Sequence, residues 1–139
     1  MNKLPFKIIG IEHIGIAVQD LNKVSEIFGD ILGLEISKRE NITDQQVITD
    51  IYPTGNGKLE FLKAISSDSP VTKFLEKRGE GLHHIALIVD DLQTALDYLK
   101  SQGIQLIDET PRIGAEGLKI AFIHPKYTNG VLVELCEGM

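Results

Sequence analysis

The sequence contains one phrase twice, and this repeat restricts the fold more than any other feature does. Residues 11–21 read IEHIGIAVQDL and residues 82–92 read LHHIALIVDDL, so that His13 aligns with His84. Each phrase has a histidine near the start of an apolar run and an Asp-Leu pair at its end. A repeat of this kind indicates one supersecondary unit that occurs twice. We therefore expect two related modules.

A segment with the apolar spacing of an amphipathic helix follows each phrase. Asp20 and Asp91 stand directly before these segments, where an aspartate can accept hydrogen bonds from the first free amides of a helix. Gly33 and Gly103 stand at their ends, a common position for glycine after the last helical turn. We therefore expect one helix after each histidine-bearing strand.

Three runs of strand-forming residues are expected after each helix. In chain order they are LEISKRE, QQVITDIYP and KLEFLKA, then IQLIDET, LKIAFIHP and VLVELCE. The turn-forming phrases TGNG and TNG precede the last run of each half. Each half thus reads β-α-β-β-β.

The modules are expected to form a single domain over residues 1–139, with module one at about 8–65 and module two at about 81–137. The segment 66–80 connects them. It is expected to contain a short helix that begins at Pro70, because proline is favoured in the first turn of a helix.

An acidic residue interrupts the last strand of each module. Glu60 lies in KLEFL and Glu134 in VLVEL, at matching positions. The duplicated unit thus carries a histidine on its first strand, His13 or His84, and a glutamate on its last. A buried carboxylate without a partner is costly, and two imidazoles with two carboxylates suit one divalent cation. We favour a metal site over two separate His–Glu pairs.

The alternation of side chains along a strand predicts where the histidines point. His13 shares a face with Ala17, and His84 shares a face with Ala86, while the bulky neighbours point the other way and can pack under the helices. Small residues would keep the histidine face open, as a cavity requires. His83 lies on the face opposite His84, so we interpret it as a structural residue.

Composition narrows the classes of function. The net charge of −6 argues against a nucleic-acid-binding protein, although Arg112, Lys119 and Lys126 could form a local basic patch for an anionic ligand. Cys136 is the only cysteine, so no internal disulfide is expected and we predict a cytoplasmic protein. No apolar run has the length of a membrane span, and the first residues do not read as a secretory signal.

These residues resemble the vicinal oxygen chelate superfamily of glyoxalases, bleomycin resistance proteins and dioxygenases, and within it the methylmalonyl-CoA epimerase family. The matching phrases are IEHIGIAVQDL, ILGLE, DSPVTKFLEKRGEGLHHIALIVDDL, ETPRIGAEG, FIHPK and GVLVELCE. The resemblance implies an α+β fold, in which two tandem βαβββ modules form a curved, cup-like, eight-stranded mixed sheet with the helices outside.

The resemblance also implies one divalent metal ion, for which Co²⁺, Zn²⁺, Mn²⁺ and Ni²⁺ are all compatible. The ligand positions of the family are His13, Glu60, His84 and Glu134, the four residues that the repeat selects. The family reaction inverts the α carbon of methylmalonyl-CoA by 1,1-proton transfer through a metal-stabilised enolate. The resemblance therefore implies an acyl-CoA substrate, and it suggests a homodimer.

Two bases are needed for such a proton transfer, one on each side of the carbon. The resemblance implies that Glu134 is one base and that Asp44 is the other. Relatives carry Glu-Gln-Gly where this chain has Asp44 followed by two glutamines, and the nearby acids Glu40 and Asp50 remain alternatives. Lys126 is a candidate contact for a phosphate of CoA.

Two other functions within the superfamily remain open. A glyoxalase I-type lactoylglutathione lyase would share the cup and the metal, whereas a metal-free module would only bind a ligand in the cup. The retained His–Glu set disfavours the metal-free module. An extradiol dioxygenase would use two histidines and one carboxylate, which Glu60 as a fourth protein ligand disfavours.

Overall fold

The computed structural model describes residues 3–138. The chain divides into a first unit, His13–His83, and a second unit formed by the residues up to Glu12 together with those from His84 onward. The boundary falls within strand β1 (Ile8–Ala17), which therefore contributes its second half to the first unit and its first half to the second. That the whole chain is one domain stays a prediction.

The elements of the first unit after β1 are α1 (Leu21–Val24), a π-helical segment (Ser25–Ile31), β2 (Lys38–Ile42), a 3-10 turn (Thr43–Gln45), β3 (Val47–Pro53), β4 (Lys58–Ala64) and α2 (Pro70–Arg78). The strands form a mixed group in the order β2-β3-β4-β1. Strand β3 is antiparallel to both of its neighbours, and β4 runs parallel to β1. The predicted start of α2 is confirmed, and β2 begins later than the run LEISKRE predicted.

The predicted first helix is present, but it widens along its length. Asp20 Oδ1 accepts hydrogen bonds from the amides of Asn22 at 2.8 Å and Lys23 at 3.4 Å, which confirms this residue as the N-cap. After the short α1 the chain continues in π-helical turns as far as Ile31. Gly33 follows with φ of +82°, a conformation that favours glycine, and the helical path ends there.

An aromatic cluster fixes this helical segment on the sheet. The ring of Phe61 on β4 lies 4.7 Å from that of Phe28 and 5.6 Å from that of Tyr52, measured between centroids. The buried cluster around Phe61 comprises Val18, Leu21, Val24, Tyr52 and Phe61. The bulky face of β1 therefore packs under the helix, as predicted.

The main elements of the second unit are β5 (Gly81–Val89), which belongs to this unit from His84 onward, α3 (Leu92–Ser101), β6 (Arg112–Ile113), β7 (Lys119–Ile123) and β8 (Val133–Glu137). The strands lie in the order β5-β8-β7-β6. Strands β5 and β8 are parallel, whereas β7 is antiparallel to both of its neighbours. Within residues 3–138 both units combine strands with α-helices, which confirms the predicted α+β class.

Helix α3 covers the bulky face of β5. Its N-cap is Asp91, whose Oδ1 accepts a hydrogen bond from the Thr94 amide at 3.1 Å, and this bond lowers the pKa of Asp91. Leu92 and Leu96 are fully buried and pack in one cluster with Val89. Within residues 3–138 no helix has the length and apolar character to cross a membrane.

The prediction of a strand over IQLIDET is wrong. This segment makes a single bridge, between Leu106 and Ile123, and the strand at this edge is the two-residue β6. The side chain of Asp108 supplies the reason, because its Oδ2 accepts a hydrogen bond from the amide of Phe122 at 2.8 Å. A carboxylate thus takes the donor that a neighbouring strand would use, and regular pairing stops.

Replacement of Gly29 by alanine is expected to stabilise the protein. A Cβ at this position would lie 3.7 Å from the Leu34 carbonyl oxygen and 3.8 Å from Ser25 Oγ, which are ordinary contacts. Because glycine within a helical segment costs about 0.5–1 kcal/mol relative to alanine, we expect an increase of that size in the free energy of unfolding, measured by urea titration. Gly33→Ala, at positive φ, should instead destabilise by roughly 1 kcal/mol. An equal response of both variants would contradict this interpretation.

Candidate metal centre and active site

His13 and Glu60 form a buried pair in the first unit. Glu60 stands opposite Gly15 in the parallel pairing of β4 with β1, so its side chain shares a face with His13, two residues away. The distance from His13 Nδ1 to Glu60 Oε2 is 3.1 Å, and the two side chains are 4% and 3% exposed. A carboxylate and an imidazole are thus held together away from solvent.

His84 and Glu134 form the matching pair in the second unit. Glu134 stands opposite Ala86 in the parallel pairing of β8 with β5, which again places it two residues beyond the histidine. His84 Nε2 lies 3.5 Å from Glu134 Oε1, and the side chains are 4% and 5% exposed. The sequence repeat is therefore also a repeat of strand register and of side-chain pairing.

The donor atoms of each pair fit a divalent metal ion. Each pair offers an imidazole nitrogen and a carboxylate oxygen, a combination that suits Zn²⁺ and similar borderline cations. The low exposure of both pairs would keep competing water away from such an ion. That the four residues bind one common ion is a proposal, taken up below.

The faces of the histidine-bearing strands agree with the alternation read from the sequence. On β1, His13, Gly15 and Ala17 are all buried on one face. On β5, Ala86 shares the face of His84, but it packs in a cluster with larger residues. That cluster comprises Ala86, Ile120, Phe122 and Cys136. The face of His84 is therefore partly filled, and not only lined by small side chains as expected.

Asp44 lies in the exposed 3-10 turn between β2 and β3. Gln46, two residues after Asp44, adopts φ of 52° and ψ of 51°. This left-handed conformation is rare for residues with side chains. In this chain hydrogen bonds hold the strained residue: its amide donates to the Thr43 carbonyl at 3.1 Å, and its own carbonyl accepts from the Ile65 amide at 2.9 Å.

The start of α2 binds this turn. Ser69 is fully buried, and its Oγ donates to the carbonyl of Gln45 at 2.9 Å while it accepts from the Val71 amide at 3.2 Å. Ser66 Oγ is hydrogen-bonded to the side-chain oxygen of Gln46. The sequence indicated a cap before Pro70, but it gave no signal for these bonds to a turn that lies 20 and 24 residues earlier in the chain.

The two alternative acids lie on opposite faces. Asp50 is paired with Phe61, so it points to the helix side of the sheet, and its oxygens accept hydrogen bonds from Arg39 at 2.6 and 2.9 Å. These hydrogen bonds raise the pKa of Arg39. Glu40 is half-buried and lies on the same face of the sheet as Glu60. Its Oε1 atom is 3.3 Å from Lys38 Nζ. Glu40 therefore remains an alternative to Asp44, and Asp50 does not face the His–Glu pair.

The remaining candidate residues occupy separate places. Lys126 is exposed in a short 3-10 turn, where its amide donates to His124 Nδ1 at 3.1 Å. Cys136 is buried on the Glu134 face, with its thiol 3.5 Å from the Leu87 carbonyl oxygen. His83 packs edge-on against Phe74, at 5.0 Å between ring centroids, and burial lowers its pKa. This agrees with the interpretation of His83 as structural.

Comparison with protein families matches residues 12–122 to the glyoxalase/bleomycin resistance protein/dioxygenase superfamily. The chain belongs to this superfamily. The match includes both His13 and His84 and ends before β8.

Individual relatives place the chain more closely within the superfamily. It is 47% identical over 127 residues to the uncharacterized protein YqjC of Bacillus subtilis, with 91% of each chain covered. It is 37% identical to the ethylmalonyl-CoA/methylmalonyl-CoA epimerase of Cereibacter sphaeroides, covering 90% of this chain and 95% of that one. The crystal structure of methylmalonyl-CoA epimerase from Mycobacterium tuberculosis superposes with a TM-score of 0.90 at 36% identity, covering 95% and 89%. The resemblance to epimerases is confirmed, and the protein is an epimerase-like isomerase.

Removal of the Ser69 hydroxyl is expected to loosen the Asp44 turn. In Ser69→Ala the partly buried carbonyl of Gln45 loses its donor, which should lower the free energy of unfolding by about 1–3 kcal/mol. Hydrogen exchange at the amide of Gln46 should also accelerate. The control is Ser101→Ala, which removes an exposed hydroxyl bonded within α3 and should change neither quantity. Unchanged exchange at Gln46 in Ser69→Ala would show that this bond does not hold the turn.

Proposed function

We propose that the protein is a metal-dependent epimerase that inverts the α carbon of methylmalonyl-CoA. The observation that carries this proposal is the pair of buried His–Glu couples in the same strand register, within a chain that belongs to this superfamily. The 37% identity to an ethylmalonyl-CoA/methylmalonyl-CoA epimerase supports the substrate class, a carboxylated acyl-CoA.

His13, Glu60, His84 and Glu134 would together hold one divalent ion. When bound, it would supply a Lewis acid that stabilises negative charge on the thioester oxygen of the substrate. Co²⁺, Zn²⁺, Mn²⁺ and Ni²⁺ all suit this donor set. The two imidazoles must be neutral to act as ligands, so protons compete with the metal and binding should weaken in acid.

Two carboxylates of the chain would move the proton. Glu134 would take the α-proton from one side of the carbon, and Asp44 would take or return it on the other side. The charge left on the substrate is that of an enolate. Because the aspartate side chain is one methylene shorter than glutamate, its turn must come closer to the carbon. The hydrogen bonds to Ser69 and Ser66 support a fixed position of this turn.

The remaining parts of the proposal concern partners. Lys126 is exposed and would contact a phosphate of CoA. We also propose a homodimer in the cytoplasm. The first half of β1 exposes Ile8, Ile9 and Ile11, each more than half accessible, and adjacent apolar side chains of this kind are common where chains associate.

Removal of the metal is expected to abolish the reaction. Protein dialysed against a chelator should no longer exchange the α-proton of methylmalonyl-CoA with deuterium from solvent, and one of the four candidate ions should restore exchange. Glu60→Ala should weaken metal binding by more than about 10-fold, because even groups that only orient ligands contribute that much. Full activity in protein shown by elemental analysis to be metal-free would contradict the proposal, and turnover of a glutathione hemithioacetal instead would favour the lyase.

Each of the two proposed bases is expected to remove the α-proton from a different epimer of the substrate. Asp44→Asn should slow inversion by about 10²- to 10⁴-fold, while deuterium still enters one pure epimer through Glu134. Glu134→Gln should lose inversion as well, and it should also bind metal less well. The rates are measured with each epimer separately by NMR in deuterium oxide.

Glu40→Gln provides the matched comparison for Asp44→Asn. It removes the nearby acid on the Glu60 face and is expected to invert the substrate at nearly the original rate. Inversion that survives in Asp44→Asn and is lost in Glu40→Gln would assign the second base to Glu40.

A further inference from the structure

Arg112 lies on the same face of the second unit as His84 and Glu134. It pairs with Ile120 across β6 and β7, and Ile120 pairs with Cys136 across β7 and β8. Directly paired residues share a face, and alternate residues of a strand return to it. The guanidinium of Arg112 therefore extends from β6 on the face that carries the proposed metal ligands His84 and Glu134.

One aromatic ring connects Arg112 with His84. The Phe122 ring packs edge-on against the imidazole of His84, with the centroids 5.8 Å apart and the planes at 85°. The guanidinium carbon of Arg112 lies 5.5 Å from the centroid of the same ring. This contact combines apolar packing with a cation–π attraction, and it holds the guanidinium beside the histidine.

Asp108 fixes the guanidinium without using all of its donors. Asp108 Oδ1 lies 3.4 Å from Arg112 Nε, and its Oδ2 accepts from the Phe122 amide at 2.8 Å. The Nε atom is at ion-pair distance but has no hydrogen-bond partner within residues 3–138. A guanidinium has five N–H donors, and the Arg112 side chain is 34% exposed. It is thus oriented and still able to bind an anion.

We propose that Arg112 binds the free carboxylate of the acyl-CoA substrate. This rests on the proposed function, in which the reacting carbon carries both a carboxylate and a thioester. Removal of the α-proton gives the substrate a second negative charge beside the first. A guanidinium next to the carboxylate reduces their repulsion, and its planar fork matches a carboxylate in two hydrogen bonds.

The local environment favours this assignment. The protein has a net charge of −6, and the two glutamates among the proposed ligands would balance the charge of a divalent ion, so an anionic substrate requires a further local cation. Lys119 precedes Ile120 on β7 and therefore points to the opposite face, and Lys126 lies in an exposed turn beyond the strand. The phosphates of CoA are separated from the thioester by the pantetheine arm. Arg112 contacts the same Phe122 ring as His84, so it is better placed to bind the carboxylate than a phosphate.

The test compares thioesters that differ in one charged group. Metal-loaded protein is titrated by calorimetry with methylmalonyl-pantetheine, which has the carboxylate but no phosphate, and with propionyl-pantetheine, which has neither. Arg112→Gln should weaken binding of the first by about 10- to 100-fold and leave the second unchanged. Arg112→Lys should show an intermediate loss, because the charge remains and the fork is lost.

Arg78→Gln is the matched control, because Arg78 also lies over a phenylalanine, 5.8 Å from the Phe74 centroid. It should bind both thioesters normally, and unfolding midpoints verify that every variant is folded. Equal binding of methylmalonyl-pantetheine by Arg112→Gln and the original protein would overturn the proposal. So would a loss confined to CoA thioesters, methylmalonyl and propionyl alike, since that pattern indicates a phosphate contact.

Turnover of methylmalonyl-CoA, measured separately, distinguishes this proposal from the proposed function. If the original protein binds the carboxylated thioester through Arg112 but does not epimerise it, the carboxylate site stands and the function is wrong. If the protein epimerises the substrate and Arg112→Gln binds it normally, the function stands and the role of Arg112 is wrong. If the original protein does not bind methylmalonyl-pantetheine, the role of Arg112 is also wrong.

Discussion

The burial of a glutamate beside a histidine is the constraint on which the structure depends, and it occurs once in each unit. Removing a carboxylate from water costs several kcal/mol unless a partner compensates. The partner is available only if two strands run parallel in one register, with Gly15 opposite Glu60 and Ala86 opposite Glu134. Parallel neighbours need a long connection, which explains why a helix and two antiparallel strands lie between them in each unit.

Much of this arrangement could be predicted because it depends on short-range patterns. The alternation of side chains along a strand predicted that His83 and His84 point to opposite faces of β5. The structure agrees, because His84 is buried and His83 is partly exposed. Aspartate before an apolar helical repeat located both N-caps. The repeat then indicated that Glu60 and Glu134 hold equivalent positions, which the matching strand registers bear out. A common metal ion remains a prediction.

What the sequence could not provide depends on contacts between distant residues. The run IQLIDET has strand-forming residues, yet Asp108 takes a backbone donor of β7 and prevents regular pairing. The position of Arg112 over Phe122 follows from that same carboxylate. Similarly, Glu40 and Asp50 look equivalent as nearby acids, and only the pairing of β2 with β3 and β4 separates their faces.

The turn that carries Asp44 depends on a part of the chain that lies far from it in sequence. Gln46 adopts a left-handed backbone, which is unfavourable for a residue with a side chain. It is anchored to Ser66 and, next to it, through Gln45 to Ser69. Substitutions in the segment before α2 should therefore shift the carboxylate of Asp44 although they do not contact it.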